Sequence, residues 1–224
     1  MASHSAPRLG LFHFALLVPT REVLGQFLAH LVAERIPAGS ADHAVSEALY
    51  LQDPDDLGIE VYCDRPRETW QQRGDELYIT TEPLDLEGLL HAGGSSRFDG
   101  LAPGTVLGHM HLRVGSLDQA EAFYHRALGF DKMTWSYPGA LFMSAGGYHH
   151  HLGTNTWGGT LSPRGAREPG LTGWDVVLPG AADIGAAVHS CLNAGAQASE
   201  RDDGWAVIDP WGTELRLVEE SRSK

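Results

Sequence analysis

The run His109-Met110-His111-Leu112-Arg113-Val114-Gly115-Ser116-Leu117 decides how this chain is read. Its first half is strand-like, and His109 and His111, two residues apart, fall on one face of a pleated strand. Past Gly115-Ser116, the apolar residues Leu117, Ala120, Phe123, Tyr124, Ala127 and Leu128 are spaced by three and four, which is one face of a helix. Gly129 follows as a left-handed helix stop. The unit closes with Gly146-Gly147-Tyr148-His149-His150-His151-Leu152.

The same order of strand, helix and short closing strands occurs twice more. Upstream, Leu11-Phe12-His13-Phe14-Ala15-Leu16-Leu17-Val18-Pro19 precedes a helical stretch from Arg21 to Glu34. That unit ends with Asp53-Pro54-Asp55, Gly58 and Ile59-Glu60-Val61-Tyr62. Downstream, Leu171-Thr172-Gly173-Trp174-Asp175-Val176-Val177-Leu178-Pro179 precedes a helix over Ala182 to Ala194. The end of this third unit is Asp209-Pro210-Trp211-Gly212-Thr213-Glu214-Leu215-Arg216-Leu217-Val218. Asp-Pro followed by glycine is turn chemistry between strands. The stretch from Leu84 to His91 is a further candidate helix, and residues 154–169 read as a polar surface loop.

Composition narrows the function. The 224 residues carry a formal charge of -13, which disfavours nucleic acid and anionic lipid as partners. Twelve histidines turn attention to metals. Cys63 and Cys191 form no CxxC pair, which fits a reducing compartment and leaves one disulfide open. Met1 to Gly10 has no apolar signal-peptide core, and no apolar run reaches the roughly 18 residues of a membrane span. A cytoplasmic protein is expected.

With Ala122-Phe123-Tyr124 and Leu128-Gly129-Phe130, the run from His109 to Leu117 resembles the opening of a module of the glyoxalase/bleomycin-resistance/dioxygenase, or vicinal oxygen chelate, superfamily. Asp42-His43-Ala44-Val45-Ser46-Glu47-Ala48-Leu49-Tyr50-Leu51, with Asp53-Pro54-Asp55 and Gly58-Ile59-Glu60, resembles another of its signatures. Ser144-Ala145-Gly146-Gly147-Tyr148-His149-His150-His151 is similar to a narrower group, the catechol-2,3-dioxygenase-like proteins of Gram-positive bacteria. The resemblance implies an α+β fold of repeated βαβββ modules, forming cup-shaped mixed sheets with helices outside. It divides the chain into a single module over 9–64, a linker over 65–104 and a paired-module metal-binding domain over 105–220. Members of the group carry four modules as two pairs. Three are visible here, so the first of four is expected to be missing, and the unpaired unit over 9–64 is expected to seek a partner, as in a homodimer through that unit.

In this superfamily two modules form a cup, and the first and last strands of each supply metal ligands. With the second and third units taken as the pair, the first-strand positions are His109 and Gly173. An ungapped match of residues 144–149 to 209–214 sets His149 opposite Glu214. The resemblance therefore implies His109, His149 and Glu214 as metal ligands, with the choice among His149, His150 and His151 open. Two imidazoles and one carboxylate suit non-haem Fe(II), with Mn(II) or another divalent metal as substitute. His151, on the strand face of His149, is the candidate acid/base residue, with Tyr148 and then His111 behind it. His13, His43 and Glu60 form another partial set, read as vestigial or structural because their unit has no partner. Trp157, Trp174, Trp205 and Trp211 are read as core or rim residues. The implied activity is Fe(II)-dependent extradiol cleavage of a catechol or hydroquinone by dioxygen. A glyoxalase-type lyase or isomerase, a resistance transferase, a non-catalytic binding protein and an inactive fragment stay open beside it.

Overall fold

Three βαβββ units follow one another along the chain in the computed structural model, which describes residues 7–165 and 167–220. The first comprises β1 (Gly10–Leu17), α1 (Arg21–Glu34), β2 (Gly39–Asp42), β3 (Ser46–Gln52) and β4 (Gly58–Asp64). Thr20 starts α1 by accepting the Val23 N–H on its hydroxyl. Asp53 shapes the turn into β4: its Oδ1 accepts the backbone N–H groups of Asp55 and Leu57 at 2.9 and 2.8 Å.

Residues 65–104 are more than a tether. They hold a two-stranded ribbon, β5 (Gln72–Arg73) and β6 (Glu76–Leu77), and the helix α2 (Leu86–Gly93). Leu77 and Ile79 pack with Val45, Ala140 and Phe142, joining the outer parts of the first and second units. Thr134 Oγ1 donates to Leu77 O at 2.6 Å across the same junction.

The second unit comprises β7 (Val106–Arg113), α3 (Leu117–Ala120), β8 (Asp131–Thr134), β9 (Ala140–Ser144) and β10 (Leu152–Asn155), with α3 widening into a π-helical stretch over Glu121–Ala127. The third comprises β11 (Gly173–Leu178), α4 (Ala181–Asn193), β12 (Gln197–Arg201), β13 (Gly204–Ile208) and β14 (Glu214–Glu219). No helix among the described residues is long and apolar enough to cross a membrane. Cys63 and Cys191 are both free and buried.

The partnership of the units is the reverse of that expected. Among the described residues, the first and second units share one eight-stranded sheet in the order β2-β3-β4-β1-β7-β10-β9-β8, and the third forms its own sheet, β11-β14-β13-β12. The unit over 9–64 is therefore paired within the chain: β1 has β4 on one side and β7 on the other, and the edge strand that this unit supplies is β2. The physical reason lies in the strands. Leu11 to Leu17 is apolar apart from His13, as suits an interior strand. β11 instead half-buries Trp174, Val176 and Leu178, leaves Asp175 and Val177 exposed, and lies at the edge of its sheet.

Two apolar layers lie on the convex side of the large sheet. Under the first unit, Leu24, Leu28 and Leu31 of α1 pack with Val61, Leu49 and Leu89. Under the second, Phe123 and Tyr124 of the π-helical stretch are held between Met110, Leu112 and Leu152 of the large sheet and Ile184, Val188, Leu215 and Leu217 of the third unit. A buried hydrogen bond of 2.7 Å from Tyr124 Oη to Asp209 Oδ2 pins the second unit to the third.

Helices α1 and α2 touch backbone to backbone at Gly25 and Gly93. A methyl group at Gly25 would meet Leu89 O, and would lie 2.6 Å from Gly93 N. Gly25→Val is therefore expected to destabilise the fold by about 1–3 kcal/mol through overpacking, read as a lowered midpoint in thermal or urea unfolding. Exposed Val32→Ala serves as the control with a smaller effect.

Candidate metal centre and its cavity

The antiparallel seam between β1 and β7 sets His13 opposite His111 and Ala15 opposite His109. On its other side, Ala15 pairs in parallel register with Glu60 of β4. Glu60 and His109 thus flank a fully buried alanine, and their side chains converge over its methyl group. His13, two residues before Ala15, enters from the same face. Among the described residues, His13, Glu60 and His109 form the one group of three whose ligand atoms all lie within 4.8 Å of one another, and all three residues are buried.

Glu60 Oε2 stands 3.2 Å from His109 Nε2 and 3.0 Å from His13 Nε2. The second contact is short but poorly aligned, so His13 Nε2 makes no hydrogen bond, and His109 Nδ1 makes none either. Unpartnered polar atoms in the interior are costly. Two imidazole nitrogens and a carboxylate oxygen gathered around one point, one of those nitrogens unpaired, form a donor set that fits a divalent cation of the transition series.

Electrostatics agree with that fit. Burial pushes the Glu60 carboxyl up, but the imidazoles of His109 and His13 outweigh it and hold the group well below the usual carboxylate range. Burial lowers His109 to about 4, against the opposing pull of Glu60. An ionised carboxylate beside a neutral imidazole is the protonation state in which both groups ligate.

His13 and Glu60 line a cavity of about 880 Å³, and His109 stands behind that lining, 3.2 Å from Glu60. Phe12, Ile59, Ile79, Phe142 and Trp157 give it apolar walls. His43, Tyr50, His111 and His150 supply polar groups. His43 Nδ1 lies 2.5 Å from Thr80 O, an obligate acceptor, so a neutral His43 accepts at Nε2 from the Tyr50 hydroxyl, also at 2.5 Å. Burial, reinforced by Glu60, raises the Tyr50 phenol well above its ordinary value and keeps it protonated. His111 Nε2 accepts from Asn155 Nδ2 at 3.0 Å, and burial lowers its pKa well below the ordinary value. Gly153 makes room for that ring, since a Cβ there would sit 2.9 Å from His111 Cγ.

His109 is therefore the one expected ligand that the structure brings into the trio. Glu214 lies on β14, in the other sheet, where it pairs with Arg201 at 3.2 Å. His149 is fully buried but turns away from the trio: its Nε2 meets Asp64 Oδ1 at 2.9 Å, and its Nδ1 meets His150 Nδ1 at 2.7 Å. The expected acid/base residues lie outside the cavity lining. His151 Nδ1 bonds with Ser144 Oγ at 3.0 Å, and Tyr148 Oη is bonded to Tyr62 Oη and donates to Asp64. Of the four tryptophans read as core or rim, Trp157 lines the cavity.

The misplacement came from pairing the wrong units and from matching the last strands without a gap. β10 begins at Leu152, after the three histidines. In strand register, Glu60 stands two residues past the partner of His13. The matching position in the second unit is Gly153, which has no side chain. His13 and Glu60 were legible in the sequence as part of a set; what it lacked was the strand that completes them.

Similarity to known proteins is consistent with this architecture. Residues 106–204 match the family model of the Glyoxalase/Bleomycin resistance protein/Dioxygenase superfamily. Over 205 residues, 90% of this chain and 72% of the relative, the sequence is 46% identical to a catechol-2,3-dioxygenase of Bacillus subtilis (strain 168). A solved structure from Bacillus subtilis subsp. subtilis str. 168, provisionally assigned as a dioxygenase, superposes with a TM-score of 0.64 at 13% identity. That match covers 96% of this chain and 63% of the other, so the chain spans under two thirds of that protein. Glyoxalase I of Zea mays superposes with a TM-score of 0.53 at 14% identity, covering 95% of this chain and 69% of the other. The two structural likenesses bear on the fold alone.

A pH dependence follows from the buried imidazoles. As the pH falls below 6.5, the unfolded chain takes up a proton at His109 that the folded chain refuses until about 4. The folded state therefore loses stability as the pH falls through that window, by about 1.4 kcal/mol per pH unit for each such histidine. Denaturant unfolding of metal-free protein between pH 8 and about 4 is expected to show a fall confined to the acid side of neutrality, and His109→Gln is expected to make it shallower, with His111 and His150 supplying the remainder.

Proposed function

The chain belongs to the Glyoxalase/Bleomycin resistance protein/Dioxygenase superfamily, and from that membership we propose that it is an oxidoreductase, an Fe(II)-dependent extradiol dioxygenase that opens a catechol or hydroquinone ring with dioxygen in the cytoplasm. The observation that carries this reading is the convergence of two buried imidazoles and one buried carboxylate, with His13 and Glu60 of that group lining a cavity of about 880 Å³. The relative at 46% identity bears the name of that activity.

His13, Glu60 and His109 are the residues that would hold the metal. When bound, such a metal supplies the redox link between an aromatic diol and dioxygen, and a three-ligand set leaves positions open for both. The remaining roles fall to the chain. Phe12, Phe142 and Trp157 clasp the ring and keep water from it. A diol must shed protons to chelate, and His150 is placed to accept one: its ring lies 4.1 Å from that of His109. With His149 Nε2 donating to Asp64, a neutral His149 accepts at Nδ1, so His150 donates from Nδ1 and leaves its Nε2 lone pair as the base. In the same wall, the Tyr50 phenol, its one proton donated to His43 Nε2, offers its oxygen as an acceptor that orients a diol hydroxyl.

Metal analysis and oxygen uptake test this. Protein loaded anaerobically with Fe(II) is expected to consume oxygen with a catechol and form a yellow ring-opened product. His13→Ala, Glu60→Ala and His109→Ala should each lose bound metal after dialysis, and Glu214→Ala should keep it. His150→Asn should retain metal and lower kcat by about 10²–10⁴-fold, and Tyr50→Phe should retain metal and raise KM by about 3–10-fold. Metal retained by all three ligand variants would overturn the site. Bound metal without oxygen uptake, together with isomerisation of a methylglyoxal–thiol adduct, would overturn the dioxygenase reading in favour of a glyoxalase-type one.

A further inference from the structure

One cationic side chain in the cavity wall makes no ion pair among the described residues. Arg113 ends β7, on the face that carries His109 and His111, and it is the one lysine or arginine among the described residues lining the cavity. It is half-buried, with its guanidinium 4.7 Å from the centre of the Phe12 ring. Its Nη1 donates to Leu11 O at 2.9 Å, and no carboxylate among the described residues pairs with it. Burial alone lowers its pKa. A cation drawn out of water and left unpaired is unfavourable until an anion arrives. The planar fork of an arginine is also the protein group best matched to a carboxylate.

We infer that the catechol this protein takes carries an anionic arm, a carboxylate on a short tether, and that Arg113 selects it. The inference rests on the dioxygenase reading for the identity of the ring, and on the cavity alone for the anion. Arg113 lies four residues beyond His109 on one strand face, about 13 Å along β7. A ring with its diol turned toward His13, Glu60 and His109, extended by one or two carbons, meets the arginine side chain across that gap. Besides Glu60, which belongs to the trio, two acidic residues line the cavity. Asp53 is committed to its own turn through the N–H groups of Asp55 and Leu57, and Asp56 has an interaction of its own. They make an ammonium arm the competing choice, which the test includes.

The test compares kcat/KM, from oxygen uptake, for a catechol with a carboxymethyl arm, its methyl ester, and the aminoethyl analogue. The proteins are wild type, Arg113→Gln, which keeps a donor for Leu11 O without the charge, and Arg113→Lys. Wild type is expected to favour the carboxylate over the ester by about 10–100-fold. Arg113→Gln is expected to abolish that ratio, and Arg113→Lys to restore part of it. Calorimetry with phenylacetate, which has no diol, should show affinity weakened about 10–100-fold in Arg113→Gln. Preference of wild type for the ester or the amine, or a carboxylate preference that survives Arg113→Gln, overturns the inference. If no catechol supports oxygen uptake, the dioxygenase reading fails, and calorimetry then decides the Arg113 site alone: phenylacetate binding indifferent to Arg113→Gln would overturn it.

Discussion

The antiparallel pairing of β1 with β7 is the contact on which the rest of the molecule depends. It joins two half-cups into one sheet of eight strands and brings His109 to within hydrogen-bonding distance of Glu60. The geometry needs a small residue between them. Ala15 is paired to Glu60 on one side and to His109 on the other, and any longer side chain there would stand where their functional atoms meet. The same seam directs His111 and Arg113 into the cavity, because residues two apart on a strand share a face.

A cluster of this kind does not stabilise the protein that contains it. Burial of a carboxylate and several imidazoles is costly, and the polar atoms of His13 and His109 left unpaired add to the cost. The offset comes from the apolar layer behind the sheet. There the third unit matters: α4 and its sheet cover Phe123 and Tyr124, and the bond from Tyr124 to Asp209 fixes the cover in place. The unit with no ligand in the trio is thereby a buttress for the strand that carries His109. Its outer sheet face, where Glu214, Arg201, Asp175 and Arg216 form ion pairs, is a solvated surface.

The histidines of the closing loop show how neighbours in sequence part in space. His149 is tied to Asp64, His150 enters the cavity and His151 bonds back to Ser144. Three adjacent imidazoles thus have three environments, and only the middle one meets the ring space.

What the sequence determined by itself was the repeat, and with it the fold. Turn residues, helical spacing and apolar strands are local signals. They are enough to place α1 over Arg21–Glu34 and to mark His109, His13, His43 and Glu60 as chemically notable. Which unit lies against which was decided only by tertiary structure, because strand pairing is set by burial of whole faces and is not written in any one segment. That single choice transferred the carboxylate of the trio from Glu214 to Glu60, and an imidazole from His149 to His13. The sequence did hold one signal of the right pairing: β1 is apolar apart from His13 and so suits the inside of a sheet, whereas β11 carries a charged residue, Asp175, that stays exposed. Ligand convergence remains beyond local reading, since three residues 47 and 49 positions apart in the chain become neighbours only when β4, β1 and β7 lie side by side.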